Sequence, residues 1–233
     1  MAVGELPVTI VPPPPNGLWR IGRAQEPIEF PDPPRGEDLE FPRAGNRFDS
    51  PTEDFSTCYF ATEPCACFGE TLSRFRPNPL LADVADEEGF MGVGQVPADW
   101  RHQRVLLRAE VEANAARPNL AFLDVEARDT REHLRKSLAR ILAFYGIDDL
   151  DVATVRGADR RITRWIAKWA YEAWDERGDR VFAGIRYISR LDSDWECWAI
   201  FDETTIQELG RETISRQHED LRAVARSFDV TVH

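Results

Sequence analysis

The stretch that organises the chain is residues 46–75, NRFDSPTEDFSTCYFATEPCACFGETLSRF. The aromatic and small residues of Thr57–Ala61 predict a short buried strand. Glu63-Pro64 then predicts the start of a helix, because proline is favoured in the first helical turn. Three polar side chains stand out among the apolar and small residues: Arg47, Tyr59 and Glu70. We therefore expect the chemistry of the protein to lie in this stretch.

Working outward, apolar patterns indicate an α+β fold, a compact mixed sheet with packed helices. Aromatic, apolar or alternating runs predict strands at residues 18–21, 104–113 and 119–125, and two strands within 181–201 around the turn 191–194. Apolar residues at helical spacing predict helices at residues 129–145 and 158–177.

We divide the chain into three parts. Residues 1–17 end in PPPPNG and predict an extended arm, because proline fixes φ and cannot join a helix interior. Residues 18–204 are the main domain, within the roughly 200 to 250 residues that a single mixed domain often reaches. Its acidic, proline-rich segment 26–45 predicts a loop, either a lid or a solvated insertion. Residues 205–233 are predicted as a helical tail that packs on the domain or binds a partner.

The formal net charge of −12 limits the partners of the protein. An acidic surface repels nucleic acid and anionic membranes, so an anionic ligand must meet a local cluster of arginines. No apolar run approaches the roughly 18 residues of a membrane span, and the N-terminus lacks the pattern of a signal peptide. We therefore expect a cytoplasmic protein that binds neither nucleic acid directly nor membranes.

The cysteines suggest neither disulfides nor a metal site. A chain of 233 residues is too large to need disulfides for stability, so reduced thiols are expected. Cys65-Ala66-Cys67, with distant further cysteines and scattered histidines, lacks the spacing of a structural zinc site. We expect no metal.

Six short motifs in a fixed order resemble a known family. They are LWRI at 18–21, GNRF at 45–48, CYFA at 58–61, FGETL at 68–72, GIRYISRLD at 184–192 and CWAIF at 197–201. Each motif is weak alone, but their order and spacing together are fairly specific. Over about residues 18–201 the chain resembles the RES domain family, which is named for its Arg, Glu and Ser.

The resemblance implies a compact domain related to ADP-ribosyltransferase folds and an enzyme that consumes NAD⁺ as its substrate, with no further cofactor. Many members are toxins held by an Xre-type antitoxin, so the resemblance also implies such a partner. The implied catalytic residues are Glu70, Arg47 and Ser189, and the implied NAD⁺ contacts are Arg20, Arg47, Tyr59 and Ser189. The loop 26–45, the long segment between Glu70 and Gly184 and the tail depart from the compact toxins.

These residue types suit cleavage of the nicotinamide–ribose bond. Nicotinamide is a cationic leaving group, so no general acid is needed, and Glu70 can stabilise the positive charge that builds on the ribose. Arg20 and Arg47 can anchor the pyrophosphate, since guanidinium groups bind phosphate bidentately. Tyr59 can stack on the nicotinamide or hydrogen-bond the substrate, and Ser189 can hold the ribose or position Glu70.

The sequence alone also allows purely structural roles for these residues. Arg20 can pair with an acid, Tyr59 can belong to the core and Ser189 can be an ordinary strand-end hydroxyl. We expect an NAD⁺ glycohydrolase or phosphorylase, with water or phosphate as acceptor. The alternatives are transfer of ADP-ribose to a protein and a catalytically inactive RES-like binding module. A homodimer is a further possibility.

Overall fold

Strand pairing in the computed structural model, which describes residues 6–77 and 94–233, builds one large mixed sheet and one small one. The strands are β1 Ile10–Val11, β2 Leu18–Arg23, β3 Thr57–Ala61, β4 Gln95–Val96, β5 Arg104–Glu112, β6 Phe122–Asp124, β7 Gly184–Ile188, β8 Glu196–Phe201, β9 Thr205–Thr213 and β10 Thr231–Val232. The large sheet has the order β1-β6-β7-β8-β3-β2-β5-β9, and β10 pairs with β4. Within the large sheet β6 and β7 run parallel and the other pairs run antiparallel.

Six α-helices are described. They are α1 Pro64–Leu72, α2 Arg128–Ser137, α3 Ala139–Phe144, α4 Val152–Arg156, α5 Arg161–Tyr171 and α6 Glu219–Phe228. The predicted α+β class, a mixed sheet with packed helices, is therefore confirmed. None of these helices has the length and apolar character that crossing a bilayer requires.

The core forms on both faces of the large sheet. On one face, Ile166 and Ala170 of α5 share a fully buried cluster with Ile185 and Ala199 of the central strands. On the other face, Leu107 of β5 packs in a second cluster with residues of β3 and β8. Burial of this apolar area is the main favourable term in folding. The two-sided packing fixes the strands, which carry Arg20 on β2 and Tyr59 on β3 and end next to Ser189 at β7.

Helix α1 joins the sheet to the C-terminal helix. Phe68 and Leu72 of α1 are fully buried in a third cluster with Leu221 and Val224 of α6. Pro64 begins α1, as the sequence predicts. Because α1 is packed against β2, β3 and α6, the side chains on its remaining face have fixed positions.

Three element predictions differ from the structure. The helix predicted at 158–177 covers only Arg161–Tyr171, since Glu172, with φ −83° and ψ 1°, leaves the helical geometry. The helix predicted at 129–145 is two helices, because Leu138 has φ −103° and ψ 16° and interrupts the helical geometry between α2 and α3. In the tail, residues 205–213 form strand β9, which pairs with β5 along its whole length, and the helix starts only at Glu219. The division of the chain at residues 204 and 205 stays a prediction.

The loop 26–45 has one short regular element, a 3-10 helix at Gly36–Glu40. Arginines of α5 and its N-terminal flank hold this loop. Arg164, which is 1% exposed, donates to the carbonyl oxygens of Leu39 (2.9 Å) and Phe41 (2.8 Å). Arg160 donates to the carbonyl oxygens of Arg43 and Gly45. The loop therefore follows a defined path over the domain.

Candidate functional site

A cavity of about 530 Å³ opens where β2 and β3 separate. The two strands share only one register pair, Trp19 with Ala61, and residues beyond it on both strands line the cavity. Helix α1 closes one side, and Glu29 and Pro31 of the loop 26–45 contribute to another. The cavity thus lies between the sheet, α1 and the predicted loop.

Glu70 and Ser189 meet at this cavity although 119 residues separate them. Glu70 lies on α1 and its exposed side chain lines the cavity. Ser189 follows β7, is 2% exposed, and its Oγ donates a hydrogen bond to Glu70 Oε1. Ser189 Oγ in turn accepts a hydrogen bond from the Leu191 amide at 3.0 Å. Ser189 therefore holds one carboxylate oxygen of Glu70 from behind the cavity wall.

Arg47 lines the cavity and is bonded to the C-terminal end of α4. Its Nη1 donates to the carbonyl oxygens of Val155 (2.6 Å) and Gly157 (2.9 Å), and its Nη2 donates to that of Arg156 at 3.3 Å. Burial lowers the pKa of Arg47, while Tyr187 and Glu70 work in the opposite direction. The arginine stays charged, because its ordinary pKa is far above neutrality.

Arg20 belongs to β2, and its guanidinium group lies between β2 and β3. Its Nη1 donates to the Tyr59 carbonyl oxygen at 2.7 Å, and its Nε donates to the Pro27 carbonyl oxygen at 2.9 Å. The guanidinium also lies 5.7 Å from the centre of the Phe60 ring. Arg20 thus satisfies a β3 carbonyl next to the single β2–β3 register pair and fixes the start of the loop.

Tyr59 forms part of the cavity wall through a fixed hydroxyl. The Oη atom accepts a hydrogen bond from the Phe48 amide (2.8 Å) and donates one to Asp49 Oδ1 (3.0 Å). Burial raises the pKa of Tyr59 well above its ordinary value, and Asp49 and Tyr187 add to the effect. The hydroxyl therefore stays protonated. Its two hydrogen bonds fix the position of the ring in the cavity wall.

The structure thus brings four of the five predicted side chains to one cavity and places the fifth behind it in contact with Glu70. Several cavity residues were absent from the predicted set. Tyr187 lies two residues before Ser189, and the two-residue period of a strand places both on one face. Arg74 lies four residues after Glu70, which brings it to the same side of the segment. These two spacings are the signals by which the sequence could have indicated them.

The charge of the cavity is opposite to that of the whole chain. Two glutamates, Glu29 and Glu70, line it in the described part of the chain. Seven arginines line it as well: Arg20, Arg23, Arg47, Arg74, Arg104, Arg160 and Arg190. In a protein with a net charge of −12, such a cluster provides a local site for an anionic ligand.

Two thiols also line the cavity, Cys67 and Cys197, and all four cysteines of the chain are free. Burial raises the pKa of Cys67 to about 12 and that of Cys197 well above its ordinary value. Because the thiolate is the reactive form, neither thiol is a nucleophile at neutral pH. Within the described ranges, no three His, Cys, Asp or Glu side chains group in a way that suits a metal ion. Of the two glutamates that line the cavity, Glu70 is exposed, whereas Glu29 is partly buried and paired with Arg23.

Comparison with known proteins gives a clear family assignment. The model of the RES domain matches residues 17–223 of the chain. No curated protein matches it. A chain in the crystal structure of the M. tuberculosis MbcT–MbcA toxin–antitoxin complex is similar, with 15% identity, a TM-score of 0.41 and coverage of 93% of this chain and 90% of that one. Because the family match spans nearly the whole chain, the resemblance seen in the sequence is confirmed and the protein belongs to the RES domain family.

Proposed function

We propose that the protein consumes NAD⁺ by cleaving its nicotinamide–ribose bond, with water or inorganic phosphate as acceptor. The observation that carries the proposal is the position of Glu70, a carboxylate held by buried Ser189 inside a cavity lined by seven arginines. Membership of the RES domain family supports the same reading. The arginines suit the phosphates of a dinucleotide, and the carboxylate suits the developing cation.

The reaction needs little chemistry from the protein. The bond between ribose C1′ and the nicotinamide nitrogen breaks, and its electron pair leaves with nicotinamide, which becomes neutral. The oxygen of water or phosphate forms the new bond to C1′, and a proton passes from the acceptor to solvent. Glu70 stabilises the oxocarbenium-like ribose and orients a hydroxyl of the ribose or of the acceptor. Ser189 contributes by fixing the Glu70 carboxylate.

The cavity walls supply the binding contacts in this proposal. The guanidinium groups of Arg20 and Arg47 keep N–H donors besides those bonded to main-chain carbonyls, and these can reach the pyrophosphate. The Tyr59 ring offers an apolar face to nicotinamide, while its hydroxyl is occupied by Phe48 and Asp49. We therefore expect Tyr59 to act through its ring.

Family membership extends the proposal to the cell. We propose that unrestrained NAD⁺ consumption makes the protein a toxin and that an Xre-type antitoxin restrains it, as the RES resemblance implies. A partner that covered the opening between β2, α1 and the loop 26–45 would block substrate entry. The enzyme activity does not depend on this role.

The test follows nicotinamide release from NAD⁺ by the purified protein, with and without phosphate. We expect turnover by the wild type and by Glu110→Gln, which removes an exposed glutamate on β5 away from the cavity. Glu70→Gln should lower kcat about a hundredfold to a thousandfold, the usual cost of one preorganised electrostatic contact.

Three results would redirect the proposal. Label from NAD⁺ on protein rather than in a small product would identify a transferase. The absence of turnover under every condition would indicate a binding module. Equal rates for Glu70→Gln and Glu110→Gln would exclude Glu70 from the chemistry.

A further inference from the structure

The arginines that line the cavity differ in how many of their side-chain N–H groups already donate hydrogen bonds within the protein. Arg20, Arg47 and Arg160 each donate to two or more main-chain carbonyl oxygens. The side chains of Arg74 and Arg104 both line the cavity, and neither forms a hydrogen bond or ion pair with a residue of the described ranges. Within residues 6–77 and 94–233, no acceptor therefore occupies their N–H groups.

Arg74 and Arg104 belong to a compact group with Arg23. Arg23 and Arg104 are direct register partners on β2 and β5. Arg74 lines the same cavity as these two residues. Burial lowers the pKa of Arg104, and the positive charges of Arg74 and Arg23 lower it further. Among the acids of the described ranges, Asp99 raises the pKa of Arg104, and Glu29 pairs with Arg23 at 3.2 Å.

Aromatic rings hold two of these guanidinium groups. The Arg74 guanidinium lies 4.7 Å from the centre of the Phe75 ring, and that of Arg104 lies 5.7 Å from the Trp100 ring. Stacking occupies the face of a guanidinium and leaves its N–H edge available, which is the edge that binds phosphate bidentately. Glu29 pairs with Arg23, whereas Arg74 and Arg104 have no bonded acid among the residues that the structure describes. Two such like charges on one cavity favour a ligand that brings about two negative charges.

We propose that Arg23, Arg74 and Arg104 form a second anion subsite of the cavity, which binds a phosphate dianion in addition to the pyrophosphate. Two sources have this chemistry: the 2′-phosphate of NADP⁺ and free inorganic phosphate. A phosphate monoester carries about −1.5 to −2 charge at neutral pH, which matches the two positive charges of Arg74 and Arg104. The role of the bound group as substrate or acceptor rests on the proposed function, whereas the subsite itself does not.

The experiment measures binding by calorimetry with probes that the protein cannot cleave at a nicotinamide bond. The probes are inorganic phosphate and the pair adenosine 2′,5′-bisphosphate and 5′-AMP, which differ only in the 2′-phosphate. The variants are Arg74→Gln and Arg74→Gln/Arg104→Gln. The control is Arg76→Gln, since Arg76 is likewise exposed and stacked on a phenylalanine, Phe228 at 4.4 Å, but does not line the cavity.

If the 2′-phosphate is the source, the bisphosphate binds the wild type at least tenfold more tightly than 5′-AMP, and the double variant loses this difference. If free phosphate is the source, the two nucleotides bind alike and phosphate affinity falls about tenfold in Arg74→Gln, the order expected for a charge-assisted contact. Arg76→Gln keeps the wild-type pattern in both cases. Equal affinities for all probes in the double variant and in Arg76→Gln would overturn the subsite, as would a wild type that binds none of them.

Two further readouts keep the result unambiguous. Circular dichroism and the thermal midpoint report folding, and Arg74→Gln alone tests the subsite if the double variant does not fold, because Arg74 is exposed. Nicotinamide release is measured in parallel. A wild type that shows the phosphate pattern without releasing nicotinamide would contradict the proposed function alone, and turnover without the phosphate pattern would contradict the subsite alone.

Discussion

At the scale of single residues, Glu70 depends on a hydroxyl that comes from the far end of the chain. A carboxylate on an exposed helix position ordinarily samples several rotamers. Ser189 removes that freedom by donating to Oε1, and its own position is fixed because its Oγ accepts from the Leu191 amide and its amide donates to the Trp195 carbonyl oxygen at 2.9 Å. The serine therefore orients the carboxylate before any ligand arrives.

We predict that Ser189→Ala lowers kcat about tenfold to a hundredfold, because one oriented hydrogen bond to a charged group is worth about 1.5 to 3 kcal/mol. The measurement is the rate of nicotinamide release, compared with that of Ser73→Ala. Ser73 also lines the cavity, but its Oγ donates to the main-chain oxygen of Glu70 at 2.9 Å. If both serine variants lose the same activity, the contact with the carboxylate has no special role.

The arginines show what residue types alone can and cannot predict. The sequence predicted that Arg20 and Arg47 belong to the site, and both line the cavity. The hydrogen bond from Arg20 to a main-chain carbonyl oxygen joins β2 to β3, and that from Arg47 joins the segment after the loop 26–45 to α4. No local sequence pattern could reveal these contacts. Such contacts depend on tertiary packing between segments up to 110 residues apart. For the same reason, no sequence pattern indicated that Arg160 and Arg190 line the cavity.

At the scale of elements, the turn between β7 and β8 and helix α1 support each other. The ring of Trp195 in this turn lies against Gly69 of α1, where a side-chain Cβ would come within 2.0 Å of Trp195 Cζ3. Gly69 is buried and precedes Glu70, and Trp195 accepts the amide hydrogen bond of Ser189. One close contact therefore sets the distance between the two partners of the Glu70–Ser189 pair.

We predict that Gly69→Ala destabilises the protein by about 1 to 2 kcal/mol. Overpacking costs about 1 to 3 kcal/mol and exceeds the gain of up to about 1 kcal/mol from replacing glycine in a helix. The thermal midpoint should fall by roughly 2 to 8 °C, and activity should fall as α1 shifts. Gly210→Ala on β9 is the control, since nothing lies within 4 Å of its added methyl group. An unchanged midpoint for Gly69→Ala would show that the Trp195 ring moves aside at little cost.

The elements that the sequence did not predict have weak or mixed patterns. Strand β9 reads TIQELGRET, and seven of its nine residues are exposed, so its alternation is faint and its charges suggest a helix. It is a strand because β5 offers a free edge, and pairing with that edge satisfies its backbone groups. Strands with strong aromatic or branched content, such as β3 and β5, were predicted nearly to the residue.

At the scale of the whole molecule, the charge distribution separates the cavity from the rest of the surface. The chain carries 41 acidic and 29 basic residues, yet seven of the basic residues line one cavity. An acidic surface with a basic cavity discourages nonspecific binding to nucleic acid and directs small anions to one place. This arrangement favours a diffusible anionic substrate over a polyanionic polymer.

The last prediction concerns the cell, where the complete protein meets the NAD⁺ pool. If the activity is unrestrained, expression of the wild type should lower cellular NAD⁺ and arrest growth, because NAD⁺ is needed throughout metabolism. Glu70→Gln, which keeps the size of the side chain but removes its charge, should restore both, whereas Glu110→Gln should remain as toxic as the wild type. Growth curves and NAD⁺ content after induction, at matched protein levels, are the measurements. Normal growth with a wild type that is active when purified would contradict the toxin role and leave the enzyme activity standing, since a slow or restrained enzyme need not exhaust the pool.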